Sequence, residues 1–361
     1  MKFTVRNQDL PNTHARVTGM AMAGTENKRI ATGRPPVLYP VLISLCCIGF
    51  IASLITGPAE ISPLDALSSL FSDTDGPESD IMRNIRLPRA VLGAMVGASL
   101  GLTGAAMQGL LRNPLAEPGL IGVSSFAALG AVISLQTGLA ASFALALPLA
   151  ALVGAGLSVA LLVLLAGPRG SSLTLILAGI AISALGGALT TLVLNLSPNP
   201  FAASEIVFWM MGSLADRSWT HVWLALPLMA AGWVALMASG RGLDALTLGE
   251  DAATALGIRI SHLRTLVVAG TAAAIGAATA VTGAVGFVGL VVPHVLRPFV
   301  GGAPGRLLPA SALGGAAMVL LADAAVETIL PDRNLKLGVL TALVGAPVFL
   351  HLVFRTRRAG L

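Results

Sequence analysis

Residues 86–125 read RLPRAVLGAMVGASLGLTGAAMQGLLRNPLAEPGLIGVSS. Two arginines, Arg86 and Arg89, open an apolar run in which Gly93, Gly97 and Gly101 recur at every fourth position. On a helix this spacing lines one face with glycine, and a face without side chains lets a second backbone come close, as packed helices do inside a bilayer. The stretch predicts a membrane helix held among other helices.

Composition extends that reading to the whole chain. Of 361 residues, 55% are hydrophobic and 11% charged, and apolar runs of about twenty residues, enough to cross a bilayer, recur along it. A soluble fold could not bury so many. The runs place spans near residues 37–56, 88–111, 119–137, 139–166, 173–196, 221–239, 263–283, 285–299, 307–330 and 337–354, an all-α polytopic membrane protein with about ten transmembrane helices. Residues 1–36 are polar and basic and lack the short apolar core and small-residue cleavage site of a signal peptide, so they are expected to form a flexible tail. Cys46 and Cys47 are adjacent, a spacing that suits neither a disulfide nor a metal site, and they read as packing residues.

Ten spans return both termini to one side. Sixteen of the twenty-two lysines and arginines fall on that side, in the N-terminal tail, at Arg112, Arg169, Arg241, Arg259, Arg264, Arg297 and Arg306, and in the tail from Arg355 to Arg358. The positive-inside rule makes it cytoplasmic. Most acids, among them Glu60, Asp65, Asp73, Asp75, Glu78, Asp80, Glu205, Asp216, Asp323, Glu327 and Asp332, fall on the other side.

Arg86 and Arg89 break the pattern. Pro88 suits the first turn of a helix, which would put both arginines at a positive helix end and on the face that usually lacks them. An acid must compensate. Asp73, Asp75, Glu78 or Asp80 of the preceding loop could do so, or the carboxylates of an external protein gripped by guanidinium forks.

A second anomaly is the polar island at residues 240–264, GRGLDALTLGEDAATALGIRISHLR. Thr247 and Glu250 have capping-box spacing, Ala252, Ala253, Ala255 and Leu256 form a helix-favouring run, and Gly257 can end it. One or two short cytoplasmic helices are expected at about residues 243–260. They are either plain surface helices or a small-residue face for a partner's groove.

Five segments in order carry a resemblance: RLPR at residues 86–89, QGLLRNPLAEPGLIGVSS at 108–125, LTLGEDAATALGI at 246–258, GFVGLVVPHVLR at 286–297 and LGVLTALVGAPVFL at 337–350. Together they resemble the FecCD-type permeases, the membrane subunits of ABC importers for iron chelates, haem and cobalamin. The resemblance implies a type II importer permease over residues 37–358, working as a homodimer in the bacterial inner membrane. A periplasmic binding protein would dock outside and two ATPase subunits, with their ATP and Mg, beneath; this chain would bind no cofactor or metal of its own.

Carried over by residue, the resemblance implies that Arg86 and Arg89 meet carboxylates of the binding protein. Relatives often carry a third arginine in span nine where this chain has Glu327 and Thr328, so Arg333 or Lys336 is the expected substitute. Thr247, Gly249, Glu250, Asp251, Ala252, Ala255 and Gly257 would form the ATPase-coupling segment, and Ser171 and Ser172 the cytoplasmic gate. LDALTLGE and NLKLGVLTALVGAP look most like the haem-importing branch, with ferric siderophores and cobalamin as alternatives.

The residues themselves argue that energy comes from elsewhere. The only lysines are Lys2, Lys28 and Lys336, none after a glycine, so no phosphate-binding P-loop can be written. An ion-coupled carrier normally keeps ionisable groups within its spans, where this chain offers little beyond Asp323, His294 and His351. An intramembrane enzyme would need a nucleophile and base on adjacent turns, and none is visible. Methionines such as Met107, Met210, Met211 and Met318 read as packing.

Overall fold

The protein's structure, a computed structural model, describes residues 37–59, 61–71, 76–167, 172–197, 200–329 and 335–358, and among these it contains helices and no strand. The N-terminal tail, Asp73, Asp75, Ser171 and Arg333 lie outside the described residues. The helices are α1 (Leu38–Ile55), α2 (Pro63–Phe71), α3 (Pro77–Ile81), α4 (Leu87–Leu110), α5 (Val123–Gln136), α6 (Leu139–Ser142), α7 (Ala146–Ala166) and α8 (Ser172–Asn195). There follow α9 (Pro200–Met210), α10 (Trp219–Ala238), α11 (Gly240–Leu246), α12 (Glu250–Ala255), α13 (Ile260–Thr282), α14 (Val288–Leu296), α15 (Pro304–Ile329) and α16 (Leu337–Arg358).

Among the described residues seven helical stretches are long and apolar enough to cross a membrane, and three shorter apolar helices, at Val123–Gln136, Val288–Val300 and Leu337–His351, stand where further spans were expected. The stretches differ in how deeply they are buried. The stretch Pro77–Leu110 has 83% of its most apolar window buried, against 22% for Leu38–Ile55. Its small residues bring backbones together: a Cβ on Gly97 would strike the carbonyl of Gly315, one on Gly101 the carbonyl of Ser311, and one on Gly104 the carbonyl of Gly289. Thus α4 lies backbone to backbone against α15 and α14. Outer helices instead show leucine and valine, such as Val153, Leu164 and Val234, which only a lipid environment would tolerate in such number.

Two expectations change. Pro88 does not begin a helix: α3 runs through a π turn, Met82–Arg86, into α4 as one 34-residue stretch. The wide turn, with the Leu87 N–H reaching the Met82 carbonyl, makes room for a proline ring that would clash with the carbonyl four residues back in a regular helix. Arg86 and Arg89 therefore sit within a helix, away from its positive end. Expected spans 119–137 and 285–299 are also interrupted. Only 14 residues of α5 and 9 of α14 are α-helical, about 21 and 14 Å at 1.5 Å per residue, too short for a bilayer.

Candidate functional site

At the end of the bundle where α4 begins, the two arginines are occupied inside the chain. Arg86 is 3% exposed; its guanidinium donates to the carbonyls of Leu54 (3.1 Å), Ile55 (3.0 Å) and Ala59 (2.6 Å). These include the last carbonyls of α1, which have no partner within their own helix, so Arg86 acts as that helix's cap. Arg89 forks onto Asp323 of α15, with Nε to Oδ2 at 3.0 Å and Nη2 to Oδ1 at 2.7 Å, and Nη2 also meets Glu327 at 2.7 Å. Ser53 of α1 donates to Asp323 at 2.9 Å.

The compensating acids are thus Asp323 and Glu327 of α15, not Glu78 or Asp80 of the preceding loop. Asp323, 2% exposed, is neutralised by a bidentate partner and a hydroxyl, which makes its burial tolerable. Neither guanidinium is free to receive an external carboxylate without exchanging a partner. Lys336, at the head of α16, lies over the Phe208 ring at 5.7 Å and lines the small polar recess beside Arg89 and Glu327.

At the opposite end, the polar island folds into α11 and α12 as two short helices. Its capping box does not form. Thr247 ends α11 and donates to the Asp244 carbonyl at 2.6 Å, while the residue before α12 is Gly249 at φ 105°, a backbone shape that excludes a capping threonine there. Glu250 pairs instead with Arg264 of α13 at 2.7 Å. Gly257, at φ 85°, does close α12: its N–H reaches the Thr254 carbonyl and that of Ile258 the Ala253 carbonyl, the Schellman arrangement. Ala253 is buried, Ala252 half-buried, and Asp251 and Ala255 exposed. Beside them Leu248 (68%) and Leu256 (63%) project into the open; the sequence pointed to Leu256 only as a helix former and did not single out Leu248.

Between these ends lies a chamber of about 420 Å³. Leu100, midway along α4, forms part of its wall, together with Ser124, Ser125, Ser183 and Glu117. Both interrupted spans begin here: the residue before α5 is Gly122 at φ 80°, and that before α14 is Phe287 at φ 66°. Such breaks are tolerated at membrane depth where they line a cavity. Glu117 accepts the Phe287 N–H at 3.0 Å, a carboxylate at the positive end of α14. The buried Ser183 hydroxyl has no partner among the described residues. EPGLIG and GFVG, two glycine-bracketed runs beginning these segments, were the available signal for the breaks. Ser172 opens α8. Among the described residues no three His, Cys, Asp or Glu side chains cluster as metal ligands do.

Comparison with known proteins bears on this architecture. The model of the FecCD transport family matches residues 45–355. The chain is 38% identical over 336 residues to an uncharacterized ABC transporter permease protein, YvrB, of Bacillus subtilis, covering 89% of this chain and 94% of that one. It is 37% identical over 326 residues to the vitamin B12 import system permease protein BtuC of Salmonella typhimurium, covering 89% and 93%. A solved structure of an inward-facing transporter, assigned to the metal-chelate ABC type, superposes with a TM-score of 0.78 at 33% identity, covering 89% of this chain and 99% of that one.

Proposed function

The chain belongs to the FecCD transport family of ABC permeases, and from that premise we propose that its cargo is an iron chelate, haem first, carried from a periplasmic binding protein to the cytoplasm by alternating access. The working unit is a dimer of this chain in the inner membrane, both termini cytoplasmic, with two ATPase subunits supplying ATP and Mg. The observation that carries the ATP-driven reading is the α11–α12 pair. It offers Leu248, Ala255 and Leu256 to a partner at one end of a chain that has no P-loop lysine.

The chamber between the interrupted spans supports the transport path: a mostly apolar wall with three serines and one carboxylate suits a large amphipathic cargo. The gate is assigned to residues 171–172, and the docking of the binding protein to the rim around Arg89, where an external carboxylate would exchange with Glu327; Arg333 and Lys336 remain the candidates for a third contact. Cobalamin is the second reading, favoured by the relative named for vitamin B12 import.

The test is reconstitution of the chain with its ATPase and binding protein in liposomes. Haem-loaded binding protein is expected to stimulate ATP hydrolysis and haem uptake. Stimulation by cobalamin or a ferric siderophore with no response to haem would overturn the haem assignment. Absence of any ATPase association would overturn the coupling assignment of α11 and α12.

A further inference from the structure

Helix α15 is fastened at both membrane faces by carboxylates. Its first turn contains Pro304 and Gly305, and the residue before it, Ala303, accepts the Leu307 N–H but has no side-chain oxygen with which to cap the free N–H groups. Asp244 of α11, 61 residues earlier, takes that part: its Oδ1 accepts the Gly305 N–H at 2.7 Å. The fit is close. A Cβ on Gly305 would stand 2.5 Å from Asp244 Oδ2 and 3.1 Å from the Gly240 carbonyl. Eighteen residues on, about 27 Å along the helix, Asp323 holds Arg89 and Ser53.

Between these anchors α15 lies against α4 through Gly97, Gly101, Ser311 and Gly315, carbonyl against glycine, with no side-chain layer to absorb a shift. We infer that α4 and α15 move as one strut, and that Asp244 is the positioning residue that joins this strut to α11 and so carries motion between the ATPase face and the Arg89 rim. The inference rests on the importer reading above and deepens it: Asp244 lies just before the segment expected to couple, and it acts through α15.

Three variants test it in the reconstituted complex. Asp244→Ala should speed hydrogen exchange at the Gly305 amide of the permease alone and lower the ratio of stimulated to basal ATP hydrolysis about fivefold, the size of a lost helix cap. Asp244→Ala with Ala303→Ser gives α15 a cap of its own without the Asp244 tie to α11. It should restore slow exchange and a folded protein, yet leave the ratio low. Asp244→Asn, which caps as well as aspartate, should keep both.

Full recovery of the ratio in the double variant would overturn the joint and leave Asp244 a local cap. A wild-type ratio in Asp244→Ala, or a collapse in Asp244→Asn with slow exchange kept, would overturn it too, the latter pointing to a charge contact with the ATPase. If the wild-type complex shows no stimulation, the importer reading fails, while unchanged exchange in Asp244→Ala would still refute the cap itself.

Discussion

Arg86 and Arg89 stand three residues apart on one helix and meet different chemistry. Arg86 is surrounded by carbonyl oxygens and Arg89 by carboxylates, so their removal should differ in kind. Arg89→Ala leaves Asp323 charged and buried without its fork, a loss expected to cost about 3–5 kcal/mol. Arg86→Ala removes charge-assisted bonds to three backbone carbonyls and leaves no side-chain charge unpaired, about 1.5–3 kcal/mol. Thermal unfolding of the purified protein in detergent should therefore rank Arg89→Ala below Arg86→Ala, and the double change Arg89→Met with Asp323→Leu should recover much of the loss. Glu327→Gln should cost less than Arg89→Ala, because the Asp323 fork stays in place and the glutamine oxygen can still accept from Arg89. Equal effects of all three single changes would contradict the assignment of Asp323 as the main partner.

Among elements, the α4–α15 contact dominates, and it is made by glycine. A methyl group added at Gly97 or Gly101 meets a carbonyl oxygen, whereas one added at Gly156 of α7 meets nothing within 4 Å. Gly97→Ala and Gly101→Ala should thus lower the unfolding temperature by the equivalent of about 1–3 kcal/mol, the range for overpacked sites, with Gly156→Ala unchanged. A comparable drop at Gly156 would show that helix propensity or lipid contact matters more than backbone approach. The glycine stripe was legible from spacing alone, because a period of four on an apolar helix has few other uses. The π turn before it was not, since a proline at residue 88 fits the start of one helix and the widened turn of another equally well. In the fold the turn ends at Arg86, whose guanidinium reaches the carbonyls of α1, a contact no local spacing reveals.

For the molecule as a whole, two faces are set apart by a membrane's thickness, and the partner surface should lie where apolar groups are exposed beyond the spans. Replacing Leu248 and Leu256 together with glutamate should weaken ATPase association at least about fivefold, as loss of an apolar anchor does, with little effect on unfolding because both side chains are already open. Co-purification of ATPase at wild-type yield would place the contact elsewhere on α11 and α12. The number of apolar segments, the all-helical class, the central place of residues 86–125 and the family followed from the sequence, because hydropathy and small-residue spacing are local properties that the bilayer enforces on each segment separately. The sequence reading could not pair Arg89 with Asp323 and Glu327, Asp244 with Gly305, or Glu117 with Phe287. Arg89 and Asp323, Asp244 and Gly305, and Glu117 and Phe287 lie 234, 61 and 170 residues apart. Only the packed bundle brings them within reach; inside it a buried polar group such as Asp323 takes whichever partner the packing supplies, and at its exposed end α11 meets the start of α15.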